Sequence, residues 1–158
     1  AGEEGELWIK GPQVMQGYLN NAKATQETMA EGDWLRTGDI GKIDSDGYLF
    51  ITDRLKELIK YNGFQVAPAE LEATLVAMAG ITDAAVIGKP DDAAGELPIA
   101  FVVAGDPTPD EAVSKAHIDD HLAHYKQLHE IHFVDEIPKS ASGKILRRFL
   151  RDGLAADS

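Results

Sequence analysis

An α+β fold is predicted for this sequence by three observations. From about Glu57 onward, strand and helix signals follow in the order β, β, α, β, β, α, β, α, which suits a sheet carrying helices. Two turns, Asp44-Ser45-Asp46-Gly47 and Asn62-Gly63, lie between short apolar runs and read as hairpins, because Asp, Asn and Gly tolerate the required backbone angles. Pro68 heads an amphipathic stretch at a position where a helix has no use for its missing N–H.

Taken in order, Leu7 to Lys10 reads as a strand ended by the Gly11-Pro12 turn. Asn20 to Ala30 is polar with modest helical character. Gly41 to Ile43 and Tyr48 to Ile51 are the arms of the first hairpin, and Glu57 to Tyr61 and Phe64 to Val66 those of the second. In the helix opened by Pro68, Leu71, Leu75 and Met78 share one face, Glu70 and Glu72 suit the positive N-terminal end, and Gly80 supplies a stop. Ala84 to Ile87 and Ile99 to Val103 read as short buried strands. Pro109 to about His124 is a second helix, Ile131 to Val134 a strand, and Ile145 to Leu150 a short terminal helix. The first 55 or so residues have a β character of their own. No repeat or low-complexity segment interrupts the chain.

Composition narrows the function. The 158 residues carry a formal net charge of -12, which disfavours a general nucleic-acid or anionic-membrane binder. Yet Lys139, Lys144, Arg147, Arg148 and Arg151 crowd the C-terminal end, either as solvated helix-surface charge or as a site for a small anion. There is no cysteine, hence no disulfide or thiolate metal site. No apolar run approaches the ~18 residues of a membrane helix. The start is acidic and has no signal-peptide core, so a cytoplasmic location is expected. An initiator Met is lacking, which suits a piece of a longer protein. His117, His121 and His124 are spaced i, i+4, i+7, a geometry able to bind zinc, but no acidic catalytic motif accompanies them; solvated helix surface is the better reading, and no metal is expected.

Lys144 ends the segment Pro138-Lys139-Ser140-Ala141-Ser142-Gly143-Lys144. A Gly-containing loop ending in lysine presents a mobile ammonium to a phosphate or carboxylate. It is not a nucleotide-binding P-loop, because Pro138 stands where that motif needs Gly and Ile145 where it needs Ser or Thr. Asp39, in Arg36-Thr37-Gly38-Asp39, has two oxygens able to accept hydrogen bonds from vicinal hydroxyls.

Two long tracts, DRLKELIKYNGFQVAPAE from Asp53 to Glu70 and PKSASGKILRR from Pro138 to Arg148, resemble the adenylate-forming ligases in the branch of 4-coumarate–CoA ligase and firefly luciferase. GELWIKGPQVMQGYL, RTGD and PDDAAGELP resemble further motifs of that family, in the same order. The resemblance implies residues 1–53 as the end of a large N-terminal domain, a β-subdomain remnant, residues 54–56 as a hinge, and residues 57–158 as a mobile C-terminal domain. That domain should hold a central three-stranded sheet flanked by helices, plus a two-stranded hairpin. The family's Ser/Thr/Gly-rich phosphate loop has no counterpart here. The chain is thus expected to be the carboxy-terminal part of an ATP-dependent carboxylate–CoA ligase, acting on 4-coumarate, another aryl acid or a fatty acid, and inactive alone.

Further roles are implied by the same resemblance. Lys144 is the catalytic lysine that meets the substrate carboxylate and the ATP α-phosphate. Asp39 and Arg54 reach the ribose, and Lys56 is the hinge residue. Lys60 and Gln65 face the adenylate, and Asn62 and Gly63 the CoA arm, although plant ligases often have Lys at the position of Asn62. ATP, CoA and Mg²⁺ riding on the ATP phosphates are the expected cofactors, used together with the missing domain. A lysine acetyltransferase and deacetylase acting on Lys144 are expected partners. The alternatives are a luciferase-like enzyme, a peptide-synthetase adenylation domain, a fatty acyl-AMP ligase, or a non-enzymatic module that binds a nucleotide or a carrier.

Overall fold

The computed structural model describes residues 2–156, with side chains through residue 154. The chain divides into two compact units, Ala1–Lys56 and Glu57–Ser158.

The first unit is a small antiparallel sheet. It contains β1 (Gly5–Ile9), α1 (Ala22–Thr28), β2 (Met29–Ala30), β3 (Trp34–Ile43) and β4 (Leu49–Arg54). β3 is central, pairing with β1, β2 and β4. The polar stretch after Asn20 becomes helix because the Asn21 side chain accepts the Ala24 N–H, closing the first turn. The Asp44 carboxylate accepts the N–H groups of Asp46 and Tyr48, fixing the β3–β4 turn. Ile40 is the one buried apolar residue of this unit among the described residues, while Trp8, Tyr18, Trp34, Tyr48 and Phe50 stay largely exposed.

The second unit follows the expected element order: β5 (Ile59–Tyr61), β6 (Phe64–Val66), α2 (Pro68–Val76), β7 (Ile81–Asp91), β8 (Gly95–Ala104), α3 (Glu111–His121), a 3₁₀ turn (His124–Lys126), β9 (Glu130–Phe133) and α4 (Arg147–Ala156). β8 is the centre of a five-stranded mixed sheet. β7 runs antiparallel along one edge, and β5 and the parallel β9 share the other. Both faces are covered. Ala84, Val86, Ala100 and Val102 join Leu71 and Leu75 of α2 and Ile118 of α3 on one face. Ala85, Ile87, Ile99 and Phe101, one residue out of phase, join Ile137 and Leu150 on the other. This two-residue alternation, buried on each side, produces the continuous apolar runs of β7 and β8.

The expected three-stranded sheet, β7, β8 and β9, and the β5–β6 hairpin are both present, and the single Tyr61–Gly95 pair joins them. Several element boundaries are corrected. β5 begins at Ile59 rather than Glu57. β7 and β8 extend well past the expected runs, because the pairs Pro90–Glu96 and Gly88–Pro98 continue the ladder beyond them. α2 ends before Met78, and Gly80 stands outside it at φ 87°. α3 begins after Asp110, whose carboxylate accepts the Val113 N–H, rather than at Pro109. It ends at His121, so His124 falls in the 3₁₀ turn and the i, i+4, i+7 histidine face does not form. α4 starts at Arg147, since Ile145 is spent on a β-bridge to Lys139.

Candidate functional site

In the first unit, the paired strands β3 and β4 place Asp39 and Arg54 directly opposite each other. Arg54 Nε lies 3.0 Å from Asp39 Oδ1. Arg54 is 59% exposed, so this pair adds little stability and leaves the guanidinium accessible. The segment leading to Asp39 is held by its neighbours. Thr37 Oγ1 donates to the Leu7 carbonyl at 2.9 Å and accepts the Asp39 N–H at 3.0 Å. Gly38, at φ 72°, donates to Glu6 Oε1 and accepts the Leu55 N–H at 2.8 Å, tying Asp39 to the strand end beside Lys56. A cleft of about 570 Å³ opens here, lined by Trp8, Tyr18, Arg36, Arg54 and Lys56 among others. The Arg36 guanidinium sits 5.2 Å above the Trp8 ring. A second hollow of about 650 Å³, beside Lys10 and Met15, contains none of the expected site residues.

In the second unit, Asn62 and Gly63 occupy the turn of the β5–β6 hairpin at φ 48° and 82°. A Cβ on Gly63 would meet nothing within 4 Å, so backbone angle rather than crowding selects glycine, and the turn backbone is open to approach. Lys60 and Gln65 are cross-strand partners, both exposed. The Lys60 N–H donates to Glu96 Oε2 and the Asn62 N–H to the Ala94 carbonyl, which fastens the hairpin to β8 and the loop before it. Beyond the turn, Phe64 stacks on Tyr125 at 4.5 Å between ring centroids.

Lys144 lies on a turn between Ile137 and α4. The Ser140 N–H donates to the Lys144 carbonyl, the Gly143 N–H to the Ser140 carbonyl, and the Lys144 N–H to Ser140 Oγ. The Lys139–Ile145 bridge closes the stem. Lys139 Nζ is bound to Asp83 Oδ2 at 2.6 Å on β7. Lys144 itself projects outward, 58% exposed, with Nζ 3.7 Å from Glu57 Oε1.

Sequence reasoning missed what stands behind that turn. The Arg147 guanidinium is nearly buried and held by four hydrogen bonds: Nη1 donates to Glu57 Oε2, Nη2 to both oxygens of Glu72 at 2.7 and 3.0 Å, and Nε to the Val86 carbonyl at 3.2 Å. Glu72 also accepts the Val86 N–H at 2.8 Å. Contacts from all three nitrogens of one planar group fix direction as well as charge. Its partners lie 90 and 75 residues away in sequence, where no local pattern reveals them. The basic C-terminal cluster is the one available signal.

The carboxylates held below their ordinary range lie outside this group. Lys89 hydrogen-bonded to Glu130 lowers it, against the opposing effect of burial. The Ala94 and Ala93 N–H groups lower Asp91, and Lys115 lowers Glu111. Among the described residues no helix is long and apolar enough to cross a membrane.

The fold and these motifs are similar to those of the C-terminal region of adenylate-forming enzymes. Residues 70–144 match the AMP-binding enzyme C-terminal domain. The curated proteins similar to this chain include several 4-coumarate–CoA ligases. It is 57% identical to 4-coumarate–CoA ligase 5 of Oryza sativa subsp. japonica over 157 residues, 98% of this chain and 29% of that protein. It is 54% identical to 4-coumarate–CoA ligase 1 of Glycine max over 158 residues, 98% of this chain and 53% of the relative. ATP-bound MatB from Rhodopseudomonas palustris superposes with a TM-score of 0.89 at 37% identity, covering 96% of this chain and 30% of MatB. The chain therefore spans between about three tenths and about half of these proteins.

Proposed function

We propose that this chain is the carboxy-terminal portion of an AMP-forming carboxylate–CoA ligase whose substrate is 4-coumarate or a related aryl or fatty acid. In the first step a carboxylate oxygen attacks the ATP α-phosphorus and the bond to pyrophosphate breaks, giving acyl-AMP. In the second the CoA sulfur attacks the acyl carbon, its proton is lost, and AMP leaves. The observation that carries this reading is the presentation of Lys144, an exposed ammonium at the tip of an internally hydrogen-bonded turn, in a chain similar over its whole length to 4-coumarate–CoA ligases.

Lys144 offsets the repulsion between carboxylate and α-phosphate as the adenylate forms. Asp39 accepts from the ribose hydroxyls, and Arg54, already oriented by Asp39, reaches the same region. Rotation at residues 54–56, with Lys56 as the pivot, exchanges the Lys144 turn for the β5–β6 hairpin. Lys60 and Gln65 then face the adenylate while the Asn62-Gly63 backbone lies along the CoA arm. Mg²⁺ travels with the ATP phosphates. Acetylation of Lys144 by a lysine acetyltransferase removes its charge and switches off adenylation, and a deacetylase restores it.

The test is a graft. The matching 157 residues of the Oryza sativa relative are replaced by this chain. The graft should support ATP–pyrophosphate exchange with 4-coumarate, while the chain alone shows none. Lys144→Ala in the graft should lower adenylation about 10²–10³-fold and leave thioester formation from supplied coumaroyl-adenylate nearly intact. Equal loss in both half-reactions, or exchange by the isolated chain, would refute the assignment.

A further inference from the structure

Lys144 and Arg147 meet at one carboxylate, that of Glu57. Lys144 Nζ is 3.7 Å from Oε1, and Arg147 Nη1 binds Oε2. Glu57 directly follows Lys56 in the chain. Arg147 is itself immobilised by both oxygens of Glu72 on α2 and by the Val86 carbonyl on β7. Two carboxylates thus face two cations, and the exposures differ sharply: the side chains of Arg147 and Glu72 are 12% and 13% exposed, that of Glu57 21%, and that of Lys144 58%. One cation is a fixed post and the other a mobile arm.

We infer that Arg147 and Glu57 are positioning residues for Lys144, with Arg147 holding the Glu57 carboxylate as the docking point of the Lys144 ammonium and so tying the Lys144 turn to the residue that follows Lys56. This rests on the ligase role proposed for Lys144. The chemistry of the two contacts explains the division of labour. A guanidinium committed to two shielded carboxylates and a backbone carbonyl leaves only by giving up four hydrogen bonds, whereas an exposed ammonium 3.7 Å from a single oxygen detaches at little cost. Lys144 can therefore exchange the Glu57 carboxylate for the carboxylate and phosphate of the reactants. Arg147 keeps the base of the turn in place during that exchange. On the other side of the same turn the Lys139–Asp83 pair anchors the stem independently.

Two measurements test this. On the whole chain, a water-soluble carbodiimide converts carboxylate–ammonium neighbours into amide cross-links that mass spectrometry locates. A Lys144–Glu57 cross-link is expected, and Arg147→Gln should reduce it at least fivefold while the Lys139–Asp83 cross-link stays constant as the internal reference. An unchanged Lys144–Glu57 yield in that variant overturns the inference. In the graft, Arg147→Gln should slow adenylation about tenfold, up to the ~10²-fold that a misplaced catalytic group costs. Thioester formation from supplied adenylate should remain within twofold. Equal slowing of both half-reactions signifies a merely structural role and overturns it. Should Arg147→Gln not fold, Glu57→Gln keeps the side-chain shape and an acceptor for Arg147. It should then slow adenylation two- to fivefold without touching the second step, and identical behaviour to the parent overturns the inference. If Lys144→Ala itself leaves the half-reactions undivided, the ligase role has failed, and the cross-link yields alone decide whether Arg147 holds the docking point.

Discussion

Replacing Arg147 by alanine removes the post on which the C-terminal segment of the second unit is fixed. The substitution removes both Nη2 contacts to the Glu72 carboxylate, which keeps the Val86 N–H, and leaves Glu57 with an ammonium 3.7 Å away on an exposed arm. Breaking a buried ion pair by deleting one partner costs about 3–5 kcal/mol; the residual exposure of the two acids places this case near the lower end, at about 3 kcal/mol. A domain of this size commands roughly 5–15 kcal/mol, so the variant should remain folded at 25 °C. Native-state hydrogen exchange of the β8 amides is the suitable assay, because those amides open only with the sheet. At 0.59 kcal/mol for RT, ~3 kcal/mol corresponds to about a 10²-fold faster exchange. Glu72→Gln should be less costly, since the amide oxygen can still accept from Val86. In the double variant the two effects should fall short of additivity by roughly 0.5–3 kcal/mol. Acceleration below fivefold in Arg147→Ala, or strict additivity, would show that the network is solvated surface charge and would refute the reasoning.

Other outcomes follow from the same packing. Gly80→Ala should cost more than about 2 kcal/mol, because the residue sits at φ 87° and a Cβ would stand 1.8 Å from the Pro107 carbonyl oxygen; urea unfolding reads this directly. Leu71→Ala, in a fully buried position under α2, should cost about 2–5 kcal/mol by the same assay. Lys89 holds Glu130 below its ordinary value of 4.5, so this contact stabilises the fold above that pH and its contribution is lost as pH falls through the lowered value. The stability gap between the parent and Lys89→Gln should be full well above pH 4.5 and shrink as the pH falls below it in acid titrations followed by circular dichroism. Amides of the first unit should exchange much faster than those of the second, since Ile40 is its one buried apolar residue among those described; equal protection in both units would contradict this.

What the sequence made legible was local. Asn62-Gly63 announces its turn because few other pairs adopt two positive φ angles cheaply, and the turn is found there. Pro68 announces a helix start, and Leu71 and Leu75 announce its buried face. The motifs that pointed to the family, and through it to Asp39, Arg54 and Lys144, are contiguous tracts. Strand length was illegible because proline is uncommon inside a strand, while the observed ladder passes through Pro90 and Pro98 by pairing them with Glu96 and Gly88. The start of α4 was misplaced because Ile145, helical by its apolar spacing, pairs with Lys139 instead. The Glu57–Glu72–Arg147 group was out of reach altogether. Charge complementarity between residues 75 to 90 positions apart has no periodicity to betray it, and each member alone resembles an ordinary surface charge.

That hidden group bears on why the lysine is carried on a turn rather than on a helix or strand. A side chain that must meet two anions of a reacting pair needs freedom at its tip and accuracy at its root. At the tip, Ser140 to Lys144 close on themselves through short hydrogen bonds and Gly143 at φ 82°, presenting the ammonium outward with no tertiary contact other than Glu57 among those described. At the root, Lys139 is pinned to Asp83 and Arg147 to Glu57 and Glu72, while Ile137 and Leu150 bury themselves against the same sheet face from either side of the turn. The root is held by burial and by shielded ion pairs, the tip by one weak, solvent-screened contact. The separation of these two energies, several kcal/mol against less than about one, lets the arm swing while its base keeps register with the sheet.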